Sequence, residues 1–481
     1  LVLEKLNRQS EIPLQRQLYQ IIHDAINAGK LPLDCKLPSS RFLSKEVDIS
    51  RITVSLVYER LVSEGYLYSK KGSGTYVSKV VTPLKTPPNL SEPAPWVYSE
   101  RGAKLLLREG SPPQPYGEFV PGIADIEAFP FYLWRKILAR YYSKKYYDLS
   151  SYADSGGYIE LRRAIASYLS VSRSLHCDPE QVIVTFGTPQ SVDLCARMLS
   201  DPGEEAFVED PAHWATQSIF EAAGLVVRSI PLDDEGIDLR DEMINAKAKF
   251  IYVSPAHQYP TGIVMSAERR AHLLRLAKER NLWLIEDDYN AEFRHECLNL
   301  PTLQSMDKDQ RVIYFGTFSK TMFAGIRLSY MVVPYSLTHA WRRAVSNLYL
   351  PGMLPLQAAM AEFINEGHFY RHIKKMRAIY YERGELFRQT LLQVFGDKIR
   401  ISASKSGMHV LASFDSPLSY EQFSEHAKRY NIVVRPPHYR TVKPKGLELV
   451  LGYGGVQTAK IPAGVLRLQQ VFIEAERELA R

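Results

Sequence analysis

The sequence predicts an α/β protein in two parts: a small helical head that ends in two short strands, and a large domain with a mostly parallel sheet covered by helices. Three observations predict this fold class. Residues 1–79 contain three short helical segments and two strand-like pieces, residues 80–115 are rich in proline, and strand-like and helix-like segments alternate through much of residues 116–481. At 481 residues the chain exceeds what one hydrophobic core usually serves.

The composition excludes several classes of protein. With 45% apolar and 23% charged residues, the chain is neither disordered nor membrane-spanning, because its apolar runs are far shorter than the roughly 20 residues that cross a bilayer. No secretory leader is recognisable at the start, so we expect a cytoplasmic protein. The four cysteines form no C-x-x-C pair, which argues against disulfides and against a metal site: Cys35, Cys177, Cys195 and Cys297.

Positive charge is concentrated at the front of the chain. Residues 1–80 hold 12 Lys and Arg against 8 Asp and Glu, within a net charge of +7 for the whole chain. This distribution favours a head that binds a polyanion.

The head has the spacing of a DNA-reading motif. Residues 14–28 form an amphipathic helix that Gly29 ends, and Ser39 or Ser40 caps a second helix that runs to about Val47. A tight turn leads to a third helix from Arg51 to about Glu64. Two strand-like pieces follow, residues 66–69 and 75–78, around a basic glycine-rich turn. The order is helix-turn-helix and then a wing.

The stretch LPSSRFLSKEVDISRITVSLVYERLVSEGYLYSKKGSGTYVS resembles the GntR family of bacterial regulators, and its winged helix-turn-helix implies binding to double-stranded operator DNA. By this resemblance, arginines at the helix starts should contact phosphates or bases, small hydroxyl residues should face the major groove, and the wing should approach the minor groove. The residues expected in these roles are Arg41, Arg51, Thr53, Ser55, Lys71 and Gly72.

The segment 80–115 is expected to be an extended linker, because its eight prolines interrupt helices and central strands. Beyond it, strands are predicted at residues 181–186, 205–208, 249–254, 282–286, 312–316 and 329–333. From about residue 356 the pattern becomes helical and then contains short strands near 408–414 and 447–451. These predict a smaller α+β subdomain over about 356–481.

Four segments of the large domain carry chemistry. They are TFGTPQ at 185–190, SPAHQYPTG at 254–262, EDDY at 286–289 and GTFSK at 316–320, and in this order they resemble the fold-type-I aminotransferases. The resemblance implies pyridoxal 5'-phosphate (PLP) as cofactor. A PLP site needs an amine for a Schiff base, an acid facing the pyridine nitrogen, and a cradle for the phosphate.

Lys320, Asp287 and the Gly187 turn can supply these three needs. A carboxylate at the ring nitrogen favours its positive charge, and backbone N–H groups of Gly187 and Thr188 at a helix start form an anion site. The resemblance adds Thr317 and Arg327 to the phosphate cradle, and Tyr289 as donor to the phenolate oxygen. Glu286 and Asp288 are expected to be structural, since a strand aims alternate side chains at one pocket.

The chain departs from the aminotransferase pattern at three places. Tyr259 stands where Asn usually precedes Pro-Thr-Gly, so Gln258 or Tyr259 is expected to contact the ring. His213 is expected to stack on the ring, with Trp214 as the alternative. Glu448 falls where a carboxylate-binding Arg is expected, so either Arg435 or Arg440 binds the effector, or the effector lacks a carboxylate.

Taken over essentially its whole length, the chain resembles the MocR subfamily of GntR regulators. The resemblance implies a head-to-tail homodimer and regulation by a small amine or amino-acid-like effector that reacts at the PLP site. We therefore expect a transcriptional regulator and no enzyme. The alternatives are a working PLP-dependent aminotransferase with a DNA-binding appendage, and a cofactor-free dimerisation scaffold in which Lys320 is idle.

Overall fold

The computed structural model describes residues 6–78, 98–106, 117–152, 155–294, 301–350, 352–403, 406–441 and 446–481. The chain divides into two compact units, Leu1–Val97 and Tyr98–Arg481. Most of the predicted linker, together with its two predicted boundaries at 79/80 and 115/116, lies outside the described residues. Within it, Glu100–Leu106 forms a helix, α4, which corrects the expectation of a wholly extended segment. The helix falls in a stretch without proline, where nothing prevents helical hydrogen bonding.

The N-terminal unit contains three helices and a two-stranded hairpin. Ser39 and Ser50 cap the second and third helices by accepting hydrogen bonds from the N–H groups of Phe42 and Thr53. The apolar faces of the helices form one core with Leu67 and Val77 of the hairpin. The elements are α1 (Leu14–Asn27), α2 (Ser40–Glu46), α3 (Arg51–Ser63), β1 (Leu67–Lys70) and β2 (Gly74–Val77).

The second unit is built on an eight-stranded sheet. Its strand order is β3-β10-β9-β8-β7-β4-β5-β6, in which β10 and β6 run antiparallel to their neighbours. The mostly parallel arrangement predicted from the sequence is confirmed. The strands are β3 (Val182–Thr185), β4 (Glu205–Asp210), β5 (Val226–Asp233), β6 (Gly236–Ile237), β7 (Ala248–Val253), β8 (Trp283–Asp288), β9 (Val312–Thr317) and β10 (Ser329–Val332).

Helices pack against this sheet because its central strands are buried almost throughout, as in the all-buried pattern of β4. Sequence reasoning found the buried strands and missed β5, whose residues mostly alternate between exposed and partly buried, and the two-residue strand β6. The helices are α5 (Phe131–Tyr141), α6 (Ile159–Arg173), α7 (Thr188–Leu199), α8 (Trp214–Ala223), α9 (Ala267–Glu279), α10 (Leu303–Met306), α11 (Thr338–Tyr349) and α12 (Leu354–Asn365).

A three-stranded antiparallel sheet and three helices form the smaller subdomain. The residues that form its core do not coincide with the predicted range 356–481. Residues of α12, including Met360 and Phe363, belong to the core of the large sheet, whereas Phe119 belongs to the core of the small subdomain. The elements are α13 (His368–Phe395), β11 (Ile399–Ile401), β12 (His409–Phe414), α14 (Tyr420–Arg429), β13 (Leu447–Gly452) and α15 (Ile461–Leu479).

In the described part of the chain, no helix combines the length and the apolar character that crossing a membrane requires. The same residues contain no group of three or more His, Cys, Asp or Glu side chains that could hold a metal ion.

Candidate functional site

The candidate site is a cavity of about 260 Å³ at the carboxyl ends of the parallel strands. Five loops that follow β3, β4, β7, β8 and β9 reach it, because parallel strands end at the same edge of a sheet. All nine residues predicted to bind the cofactor line this cavity: Gly187, Thr188, His213, Tyr259, Asp287, Tyr289, Thr317, Lys320 and Arg327.

Lys320 lies three residues beyond β9, and its Nζ atom donates a hydrogen bond to the carbonyl oxygen of Gly122 at 2.9 Å. Gly122 has φ +75°, and a Cβ atom there would lie 2.6 Å from Nζ, so glycine is required for this approach. Burial lowers the pKa of the Lys320 amine, and the nearby Asp287 carboxylate partly opposes that effect. The amine is therefore easier to deprotonate than an exposed lysine.

Asp287, near the end of β8, offers one oxygen to the cavity. The Tyr252 hydroxyl donates to Oδ2, while Oδ1 is buried without a hydrogen-bond partner. Burial raises the pKa of Asp287 to about 6, and the bond from Tyr252 limits the rise. The hydroxyl of Tyr289 is likewise buried and unpartnered. These two orphaned atoms fit the pyridine nitrogen and phenolate oxygen of PLP.

The Gly187 turn starts α7 and faces Arg327. Gly187 has φ +117°, and a Cβ atom would lie 2.6 Å from Nη2 of Arg327. Arg327 donates to the Phe186 carbonyl at 2.7 Å, and Thr317 accepts a bond from the Ser329 hydroxyl at 2.7 Å. A helix start, a guanidinium and a hydroxyl thus meet in one place, which is a suitable environment for a phosphate group.

His213 and Tyr259 lie together on the wall of the cavity, with ring centroids 5.7 Å apart and an interplanar angle of 62°. His213 is exposed, and the protein and the charge of Lys320 around it lower the pKa of its imidazole below the ordinary value. Gln258 is turned away, since its Nε2 donates to the backbone carbonyls of Pro211 and Tyr259. The side chain of Trp214, the alternative to His213, lies outside the described part of the structure.

The carboxylates beside Asp287 have structural partners, as expected. Glu286 accepts the backbone N–H groups of Leu303 and Gln304 at 3.0 and 2.9 Å. Asp288 accepts from Arg173 at 2.7 Å and belongs to a buried ion-pair network. Glu286 and Asp288 therefore stabilise the structure around the cavity.

The structure adds lining residues that sequence reasoning missed, among them Tyr252, Glu209, Asn290 and His409. Glu209 accepts from the Ser254 N–H at 3.2 Å, and burial raises its pKa to about 8. Asn290 directly follows the EDDY segment, which could have signalled its position. His409 comes from the small subdomain, and no sequence pattern connects it to the other residues.

The effector residues expected from the sequence are not brought to the cavity. Arg440 donates to Glu221 at 2.6 Å, and its backbone N–H is held by Asp210, so its charge is already paired. Arg435 does not line the cavity either. Burial raises the pKa of Tyr259 to about 12, and the positive charge of Arg435 partly opposes that rise. Glu448 accepts from Ser413 and Tyr439 and is also absent from the lining.

In the N-terminal unit, Arg41, Arg51, Lys71 and Gly72 are exposed, and Thr53 and Ser55 are partly buried. The Thr53 hydroxyl is hydrogen-bonded to Ser50 at 2.8 Å, so it contributes to the helix cap. Sequence reasoning missed the neighbouring Ile52, which is 73% exposed at the start of α3.

Comparison with known proteins identifies both units. Residues 14–77 match the gntR family of bacterial regulatory proteins, and residues 135–449 match aminotransferase class I and II. The described fold and these matches define a class: DNA-binding regulators whose large domain has the fold of a fold-type-I aminotransferase.

The chain is 35% identical over 476 residues to the probable rhizopine catabolism regulatory protein MocR of Rhizobium meliloti, covering 98% of this chain and 96% of that protein. The HTH-type regulator YdeL of Bacillus subtilis, itself uncharacterized, is 32% identical, with 97% and 98% covered. The chain therefore belongs to the MocR-type regulators of the GntR family, which confirms the resemblance inferred from its motifs.

Among solved structures, an archaeal alanine:glyoxylate aminotransferase matches 75% of this chain and 91% of its own, with a TM-score of 0.70 and 26% identity. The fold class predicted from the sequence is confirmed.

Proposed function

We propose that this regulator binds PLP in the cavity beside Lys320. A small amine or amino-acid-like effector would react there and change the affinity of the protein for operator DNA. One observation carries the proposal: the cavity presents a partly buried amine together with two unpartnered buried atoms, Asp287 Oδ1 and the Tyr289 hydroxyl. Unpaired buried polar atoms are costly and rare, so their convergence argues for a polar ligand.

The residues divide the work of holding PLP. Lys320 would carry it covalently, Asp287 would face its ring nitrogen, and the Gly187 turn with Thr188, Thr317 and Arg327 would hold its phosphate. When bound, PLP supplies an electrophilic carbon at which amines exchange. The lowered pKa of Lys320 favours this exchange, because a neutral amine is the reactive form.

The N-terminal unit would dock on duplex DNA through α3 and the wing. Among the described residues, neither Arg41 nor Arg51 has an ion-pair partner, so both guanidinium groups are available for phosphates or bases. Thr53, Ser55, Lys71 and Gly72 complete the proposed contact surface. We place the protein in the cytoplasm as a head-to-tail homodimer, an arrangement in which two heads engage two half-sites.

Sensing without sustained catalysis is the preferred assignment for the large domain. An aminotransferase must also bind a second, carboxylate-bearing substrate. Among the described lining residues, Arg327 is the one arginine, and it lies beside the Gly187 turn, where we propose that the phosphate binds. The complete set of Lys320, Asp287 and Tyr289 keeps a working aminotransferase as the second candidate. A cofactor-free scaffold is disfavoured, because it would leave the orphaned atoms unpaired.

Absorbance and DNA binding test the proposal together. The purified protein should show the visible band of bound PLP, and Lys320→Ala should abolish it. Steady-state transamination should be negligible, and saturating effector should change operator affinity. A band that persists in Lys320→Ala would refute the role of Lys320, and rapid turnover of an amino donor with a keto acid would favour the enzyme.

A further inference from the structure

The face of α3 that points away from the core of the N-terminal unit begins with apolar side chains. Four buried residues define the core face of this helix: Val54, Val57, Tyr58 and Leu61. At about 100° per residue, Ile52 points opposite to their mean direction, and Leu56 follows it one turn later. Ile52 is 73% exposed and Leu56 is 45% exposed. Neither side chain belongs to the core that the other apolar residues of the helix form.

The position of Ile52 gives its exposure a meaning. A single exposed apolar side chain is common on protein surfaces. Ile52, however, is the second residue of the second helix of the helix-turn-helix, and the first residues of that helix are the ones that reach base edges in the major groove. Its neighbour Arg51 is exposed, whereas the exposed anion Glu59 lies about two turns farther along the same helix. This order of charges directs the start of α3 toward DNA phosphates.

The two hydroxyl residues near Ile52 are less directly placed. Thr53 lies about 90° around the helix axis from the core direction, and its hydroxyl is bonded to that of Ser50 at 2.8 Å. Ser55 is partly buried. Ile52 is therefore the side chain that the exposed face of α3 presents most directly to the floor of a groove, and the contact that it offers there is apolar.

An apolar side chain distinguishes bases because it offers no hydrogen bond. In the major groove thymine presents a 5-methyl group, which the other three bases lack, and those bases present donors and acceptors that water satisfies in free DNA. Packing Ile52 against such a polar edge would displace the water without replacing its hydrogen bonds, which is unfavourable. Against thymine the same contact buries apolar groups on both sides.

We propose that Ile52 determines part of the operator specificity of this regulator by packing on the 5-methyl group of one thymine and selecting that base over the other three. This inference rests on the proposed docking of α3 on duplex DNA. It adds a base-reading contact to the phosphate or base contacts proposed for Arg41 and Arg51. Leu56 shares the exposed face but lies a turn farther from the start of the helix, so it serves as the comparison.

Replacement of thymine by deoxyuridine tests the contact, because uracil keeps the base pair and lacks only the 5-methyl group. The probe is a duplex that the full-length protein selects from a random-sequence library, and its thymines are replaced one at a time. Fluorescence anisotropy at fixed salt measures the affinity. At one position we expect the replacement to weaken wild-type binding about fourfold, the value of one buried methyl group.

The Ile52→Ala variant should lose this discrimination. It should bind the unsubstituted duplex about fourfold or more weakly than the wild type, and uracil at the same position should weaken its binding less than about 1.5-fold. A library selected by Ile52→Ala should also lose the preference for thymine at that position. Because Ile52 is mostly exposed, thermal unfolding of the variant should match that of the wild type.

Two control variants keep Ile52. Leu56→Ala shortens the other exposed apolar side chain of α3, and Ile12→Ala shortens an isoleucine that is 50% exposed elsewhere in the N-terminal unit. Both should retain the fourfold preference for thymine over uracil.

Failure of the docking and failure of the thymine contact give different results. If the full-length protein enriches no duplex, the proposed docking on DNA fails and this inference fails with it. Tight binding that no replacement of thymine weakens would overturn the inference alone, as would a replacement that weakens the wild type and Ile52→Ala equally. Loss of the preference in Leu56→Ala but not in Ile52→Ala would assign the contact to Leu56 and overturn it too.

Discussion

Gly187→Ala tests whether the turn before α7 holds a phosphate. At φ +117° an alanine is strained by about 1–3 kcal/mol. Its Cβ would also lie 2.6 Å from Nη2 and 3.0 Å from Cζ of Arg327, so the guanidinium must move. Losing a charge-assisted hydrogen bond to phosphate costs about 1.5–3 kcal/mol, which predicts PLP binding weakened about 10-fold to 150-fold.

Gly203→Ala separates strain from displacement of Arg327. Gly203 also has positive φ, +92°, but nothing lies within 4 Å of its added Cβ. For the unit Tyr98–Arg481, an unfolding entropy of about 0.8 kcal/mol per kelvin converts the strain into a loss of about 1–4 °C in Tm for either variant. Calorimetry measures the Tm of the apo forms, and absorbance titration measures the PLP affinity. Equal PLP affinity in the two variants would show that Arg327 and this turn do not form the cradle.

Two further predictions concern pH and salt. Because burial raises the pKa of Glu209 to about 8, folding binds a proton there, and the apo protein should lose stability as pH rises from about 4.5 to 8. Glu209→Gln should flatten that part of the Tm–pH curve, and an unchanged curve would contradict the assignment. Arg51→Ala should reduce the slope of log operator affinity against log salt by about one unit if Arg51 contacts one phosphate. Arg60→Ala, at a guanidinium paired with Glu64 on the same helix, should leave the slope unchanged.

Much of the fold was predictable from local patterns, because helix caps, buried strands and spaced motifs depend on residues that are neighbours in the chain. Ser39 was one of the two residues predicted to cap the second helix, since capping needs only a side-chain oxygen three residues before an N–H group. The capping role of Ser50 was not predicted. The central strands were recognisable because burial on both faces leaves continuous apolar runs. The cofactor motifs were recognisable because each loop carries its residues at fixed spacing behind a strand. The structure gathers these residues in one cavity.

Positions that depend on distant contacts were not predictable in the same way. Arg440 was predicted to bind an effector, but it already forms an ion pair with Glu221, more than two hundred residues earlier in the chain. The helix Glu100–Leu106 was not predicted, because it lies between proline-rich stretches. Phe119 joins the small subdomain because the chain beside it pairs with residues near Ile432.

The sequence by itself determined the two folding units, the family and the residues suited to PLP, because periodicity, caps and spaced motifs are local properties of the chain. The tertiary structure alone decided which polar groups meet without partners. Asn290 and His409 lie 119 positions apart, and His409 belongs to a different subdomain, so their convergence depends on how the two sheets pack. Burial then lowers the pKa of His409, because a low-dielectric surrounding disfavours protonated imidazole.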